Sequence, residues 1–166
     1  GPGASNHFEA GGFARSNNDV EWPDIQFHFL PAAMNYDGTR IASSPGYQLH
    51  VGPSLPKSRG TVSISSGEVG PKPNVFFAYL SDESDMQVFL RSIQMAREII
   101  SQPSLSAMSG HEIQPGLSVQ SQSDLAAWIR GNAQSAYHPC GTCRMGLDSN
   151  AVVDPKGCVH NIEGIR

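Results

Sequence analysis

Along residues 24–30, apolar Ile25, Phe27 and Phe29 alternate with polar Gln26 and His28, so an extended chain there has one apolar face and one polar face. Tyr47, Leu49 and Val51 repeat the period of two, and residues 61–65 do so after a Ser58-Arg59-Gly60 turn. Residues 75–80, more uniformly apolar, make a fourth strand candidate. The connections are too short for crossover helices, which predicts antiparallel pairing. Beyond Ser81 and Asp82, whose side chains can accept from free amides at a helix start, the period changes. Met86, Phe89, Leu90, Ile93, Ala96 and Ile100 recur every three or four residues and predict an amphipathic helix that ends before Pro103. A second helix is expected from Ser121, with Asp124 three residues on and Leu125, Trp128 and Ile129 along one face, stopping before Tyr137.

From there on, Pro139, Gly141, Gly146, Pro155, Gly157 and Gly164 break any regular element. Strands first and helices afterwards predict the α+β class: an antiparallel β-sheet with helices packed on one face, plus a loop-rich C-terminal segment. The expected division is 1–135 for sheet and helices and 136–166 for that segment. No Gly-x-Gly-x-x-Gly follows a strand anywhere, so a dinucleotide phosphate cradle is missing from these residues.

Composition narrows the function classes. Hydrophobic residues make up 39% and charged residues only 16%, which is too apolar for a disordered chain. A net charge of -4 without clustered Lys or Arg offers nothing to a phosphate backbone, so nucleic acid is excluded as an expected partner. No apolar run is long enough to span a membrane, and three cysteines, an odd number, argue against a disulfide framework and for a reducing, cytoplasmic compartment. The opening Gly1-Pro2-Gly3 suits a native loop and the remnant of a cleaved tag equally.

Two kinds of chemistry compete in the C-terminal segment. Cys140 and Cys143 form a C-x-x-C pair, and Cys158 with His160 follows; four such ligands could close a tetrahedral zinc site in a small interaction module without catalysis. A thioredoxin-like redox pair is disfavoured, since no strand leads into Cys140 and no helix starts at Cys143. Alternatively, His138 precedes Pro139, whose ring keeps the preceding residue off the helical region, so the imidazole can be aimed. An imidazole titrating near neutrality suits removal of a proton from an alcohol and its later return.

The stretch Tyr137-His-Pro-Cys-Gly-Thr-Cys-Arg-Met-Gly146, then Val152-Val-Asp-Pro155, Val159-His160 and Glu163-Gly-Ile-Arg166, resembles the C-terminal signature of the glucose-methanol-choline (GMC) oxidoreductases. Ser5-Asn-His-Phe-Glu-Ala-Gly-Gly-Phe13, Trp22-Pro-Asp-Ile-Gln-Phe-His-Phe-Leu-Pro31, Ser58-Arg-Gly60 and Arg97-Glu-Ile-Ile-Ser-Gln-Pro103 agree in order, and the likeness is strongest to choline-oxidising members. The resemblance implies an FAD enzyme whose His138 acts as catalytic base, with His138 and Pro139 against the flavin. It also implies that choline becomes betaine aldehyde on the route to glycine betaine.

A quaternary ammonium has no hydrogen to donate, so aromatic faces and a nearby carboxylate must recognise it. Phe8, Glu9, His28 and Tyr137 are the substrate-side candidates, against plain readings of Phe8 as core, Glu9 as a solvated acid and His28 as a satisfied sheet histidine. By the same resemblance the remaining FAD-binding domain is the partner of this segment. The family's glycine-rich segment and second active-site residue, a His or Asn, would lie on either side of these residues, and the resemblance leaves room for inner-membrane association of the intact enzyme. Cys140 and Cys143 become packing residues in this reading.

Overall fold

The computed structural model describes residues 6–35 and 45–166. Gly1, Pro2, Gly3 and Ser5, singled out above, lie outside the described residues. The chain forms two compact units, each from two separate stretches: Gly1–Gly60 with Phe77–Asn132, and Thr61–Phe76 with Ala133–Arg166.

In the first unit, β1 (Ala10–Ala14), β2 (Ile25–Leu30) and β3 (Gln48–Pro53) make an antiparallel sheet in the order β1-β2-β3. The alternation along residues 24–30 is realised as expected: Ile25 and Phe27 are buried, while Gln26 and His28 are only partly covered. β1 carries no alternating signal, and pairing with β2 is what draws this glycine-containing stretch into the sheet. Helix α1 (Glu83–Ile100) starts where the sequence indicated, with Asp82 accepting from the Ser84 amide at 2.9 Å, and it packs against β3. The ring of Phe89 lies so near Gly52 that a Cβ there would come within 3.3 Å of it, which explains a glycine inside this strand. After the single turn α2 (Pro103–Ser106), helix α3 (Gln122–Asn132) packs on α1. Met86, Leu90, Ile93, Leu125 and Ile129 join Ile25 and Phe27 as the buried apolar core.

Two polar clamps fix the loops of this unit. Arg97 donates to both carboxylate oxygens of Glu112, at 2.9 and 2.7 Å, and to the Val119 carbonyl, while Glu112 also accepts from the Gly116 amide. Buried Asp24 accepts from the amide and hydroxyl of Ser16 at 2.7 and 2.6 Å.

The second unit holds β4 (Thr61–Ser63) and β5 (Asn74–Phe76), paired only with each other, so the four expected strands fall into two sheets. The apolar run at 75–80 does not continue as strand, because Ala78 and Leu80 take φ of 50° and 60°, left-handed values that end a ladder. Residues 137–166 are irregular, as expected, but held together by main-chain bonds. Gly146 donates to Val153, His160 to Val152, and the Asp154 amide to Cys158. Asp154 Oδ1 accepts in return from the Lys156 and Cys158 amides at 2.8 and 2.9 Å.

Candidate active-site residues

On the first unit, the antiparallel register places Gly11, His28 and His50 in one row across the three strands. Directly opposed residues point to the same side of a sheet, so the two imidazoles share a face and the glycine leaves the third place in the row without a side chain. The Phe8 ring approaches His28 edge to face, centroids 6.2 Å apart at 85°. Phe8 is 65% exposed, which removes the reading of it as core. Exposed Glu9 is tied to the sheet by its amide, which donates to the Phe29 carbonyl at 3.2 Å. Three of the substrate-side candidates therefore lie close together in the fold, the Phe8-Glu9 segment reaching β2 at His28 and Phe29.

His50 was not among the sequence candidates, although its position on the polar side of an alternating strand was available as a signal. Its Nε2 lies 3.0 Å from Gln48 Oε1. Burial first, and His28 across the ladder second, hold its pKa below the ordinary histidine value.

Tyr137, His138 and Pro139 lie on the second unit, all exposed. Tyr137 adopts φ of 60°, and its amide donates to Ser135 Oγ at 2.9 Å. A non-glycine residue in the left-handed region turns the chain sharply, immediately ahead of His138. Gly141, at φ of 102°, supplies a second turn beyond Pro139. The imidazole of His138 is thus displayed on a turn, open to a partner from outside this segment. Further on, Arg144 pairs with Asp148, which raises the arginine's pKa and lowers the aspartate's through their shared hydrogen bond.

The residues expected for a zinc cage, Cys140, Cys143, Cys158 and His160, form no metal-holding group. Among the described residues no three His, Cys, Asp or Glu side chains come together to hold a metal. The cage's proposed fourth ligand, His160, has its Nε2 3.0 Å from the Gly146 carbonyl. Cys140, Cys143 and Cys158 are free thiols. No helix among the described residues is long and apolar enough to cross a membrane.

Comparison with known proteins supplies what geometry alone does not. Residues 56–166 match the family described as GMC oxidoreductase. The whole chain is 49% identical to oxygen-dependent choline dehydrogenase from Cronobacter sakazakii (strain ATCC BAA-894) and 49% identical to the enzyme of that name from Escherichia coli O6:K15:H31 (strain 536 / UPEC). It spans 30% of the length of each. Among solved structures, pyridoxine 4-oxidase from Mesorbium loti superposes with a TM-score of 0.79 at 31% identity, over 90% of this chain and 30% of that one.

Proposed function

The chain belongs to the GMC oxidoreductase family, and from that membership we propose that it is the substrate-binding part of an FAD-dependent oxidoreductase that converts choline to betaine aldehyde. The observation that carries the reading is the 49% identity to oxygen-dependent choline dehydrogenases along all 166 residues. The match includes the segment around His138.

The residues present fit the ring end of the cofactor and not its phosphates. His138 and Pro139 stand exposed on a turn, where a planar group from outside can rest, whereas the sequence has no glycine-rich cradle for a pyrophosphate. When bound, the flavin supplies a hydride acceptor. His138 takes the hydroxyl proton as the alcohol carbon is oxidised, and the turn at Tyr137 aims it. On the first unit, Phe8 offers an aromatic face to the trimethylammonium group and Glu9 the negative charge a cation needs, while Tyr137 is the aromatic candidate of the second unit. His28, in edge contact with Phe8, lines the same face. The partners of this segment are then the alcohol, the FAD-binding part of the longer protein and, for the intact enzyme in the cytoplasm, an inner-membrane surface.

The test is choline-dependent reduction of a dye by the longer protein that contains these residues, with its flavin content measured alongside. Turnover with bound flavin is expected. A flavin-free protein, or a flavin-loaded one that leaves choline untouched, would overturn the proposal.

A further inference from the structure

His28 and His50 stand opposite each other across β2 and β3, and Gly11 faces His28 from β1. Behind His50 runs a short hydrogen-bond relay. Gln48 donates its Nε2 to the Met34 carbonyl at 2.7 Å, which orients the amide so that Oε1 meets His50 Nε2. A carbonyl oxygen only accepts, so His50 carries its proton on Nε2 and keeps a lone pair on Nδ1 when neutral. A main-chain carbonyl therefore sets the tautomer of an imidazole on the face that holds Phe8 and His28.

We infer that His50 is a specificity-determining positioning residue: a neutral imidazole, oriented by Gln48 and set opposite His28, that keeps two positive charges from building up on this face and so lets it accept a cationic alcohol. The inference rests on the reading of Phe8, Glu9 and His28 as the substrate side. Two adjacent imidazolium ions would repel each other and any quaternary ammonium beside them. Partial burial, which disfavours the charged form of His50, acts in the same direction.

Other ionisable groups on the adjoining elements are few. His7 and Glu9 precede β1, and Asp24, which precedes β2, is engaged by Ser16. β1 and β3 contain no other ionisable side chain. On α1, which packs on β3, Arg91 pairs with Glu98, Arg97 pairs with Glu112, Asp85 binds main-chain amides, and Glu83 near the helix start accepts from Gln87 at 3.3 Å. His50, His28 opposite it and His7 beside Phe8 are thus the groups near this face that could add positive charge to it.

The experiment uses the full-length flavoenzyme and compares KM for choline with KM for its uncharged carbon isostere, from about pH 5, below the ordinary histidine range, to about pH 8. The ratio of the two is expected to rise about threefold or more toward the acid end. His50→Arg, a permanent cation, should raise the ratio about tenfold at the alkaline end, and His50→Gln should make the ratio less dependent on pH. A merely structural role for His50 would move both KM values together and leave the ratio alone. A ratio flat with pH in the unsubstituted enzyme overturns the inference, as does a flavin-loaded His50→Arg enzyme with an unaltered ratio. Should the arginine variant fail to fold, the unsubstituted profile and His50→Gln decide. Failure of the flavin-loaded enzyme to oxidise choline at all would instead overturn the proposed function.

Discussion

Ser58 is fastened to the start of α1 by Asp85, whose buried carboxylate accepts from the Ser58 amide at 2.8 Å through one oxygen and from the Lys57 amide at 2.7 Å through the other. Ser58 Oγ in turn accepts from the Asp82 amide at 3.1 Å. The Ser58-Arg59-Gly60 turn is thereby anchored to a helix end rather than left as a free loop. Removing the carboxylate would leave two main-chain donors without their acceptor. Asp85→Ala should cost about 2–4 kcal/mol in denaturant unfolding, and Asp85→Asn, which keeps one acceptor, should cost less. Equal stability of Asp85→Ala and the parent chain would show that the clamp contributes nothing.

Gly52 tests the contact between α1 and β3. A side chain there meets the Phe89 ring, so Gly52→Val should destabilise by about 1–3 kcal/mol. Combining it with Phe89→Ala should recover part of that loss relative to the sum of the single changes. Strict additivity in the double-mutant cycle would remove the contact from the account.

His50 also bears on stability. Its pKa is lowered in the fold by burial and by His28, so the unfolded chain takes up that proton first as pH falls below about 6.5. The sign follows: this group's contribution is complete above the ordinary histidine range and is lost on acidification through the lowered folded value. Thermal melting between about pH 8 and pH 5.5 should fall less steeply for His50→Gln than for the parent. Identical slopes would contradict the shift.

In the full-length enzyme, His138→Ala should lower turnover by about a hundredfold or more, the usual contribution of general-base catalysis, while flavin absorbance is retained. An unchanged rate would take His138 out of the mechanism.

The purified 166-residue chain should neither retain flavin nor reduce a dye with choline, because its sequence has no cradle for the cofactor's pyrophosphate. Stoichiometric flavin absorbance after gel filtration would refute this.

Where one face of an element is buried, sequence and structure agree closely. Ile25 and Phe27 announced β2, and the three-to-four spacing from Met86 to Ile100 announced α1 together with its Asp82 cap. β1 could not be read in this way: Ala10-Gly11-Gly12-Phe13-Ala14 has low strand propensity, and its conformation is imposed by the ladder with β2. The left-handed Ala78 and Leu80, which cut β5 short, are non-glycine residues with no local signature. At the candidate site, His138 lies on an exposed turn next to Pro139, and its expected role came from the family resemblance rather than from the proline. The approach of Phe8 to His28 and the opposition of His28 to His50 depend on strand register, which emerges only when three distant stretches pair.

Each compact unit is stitched from two stretches that alternate along the chain, with Phe77–Asn132 lying between the two parts of the second. During synthesis the β4–β5 hairpin therefore emerges early and waits for Ala133–Arg166 before its unit can close. Exposed Val62, Ile64, Val75 and Phe76 belong to that waiting hairpin. These side chains stay exposed in the finished unit, so a ribosome stalled within α3 would hold a hairpin whose partner stretch is not yet made, and proteolysis within it should slow once the His138 segment is released.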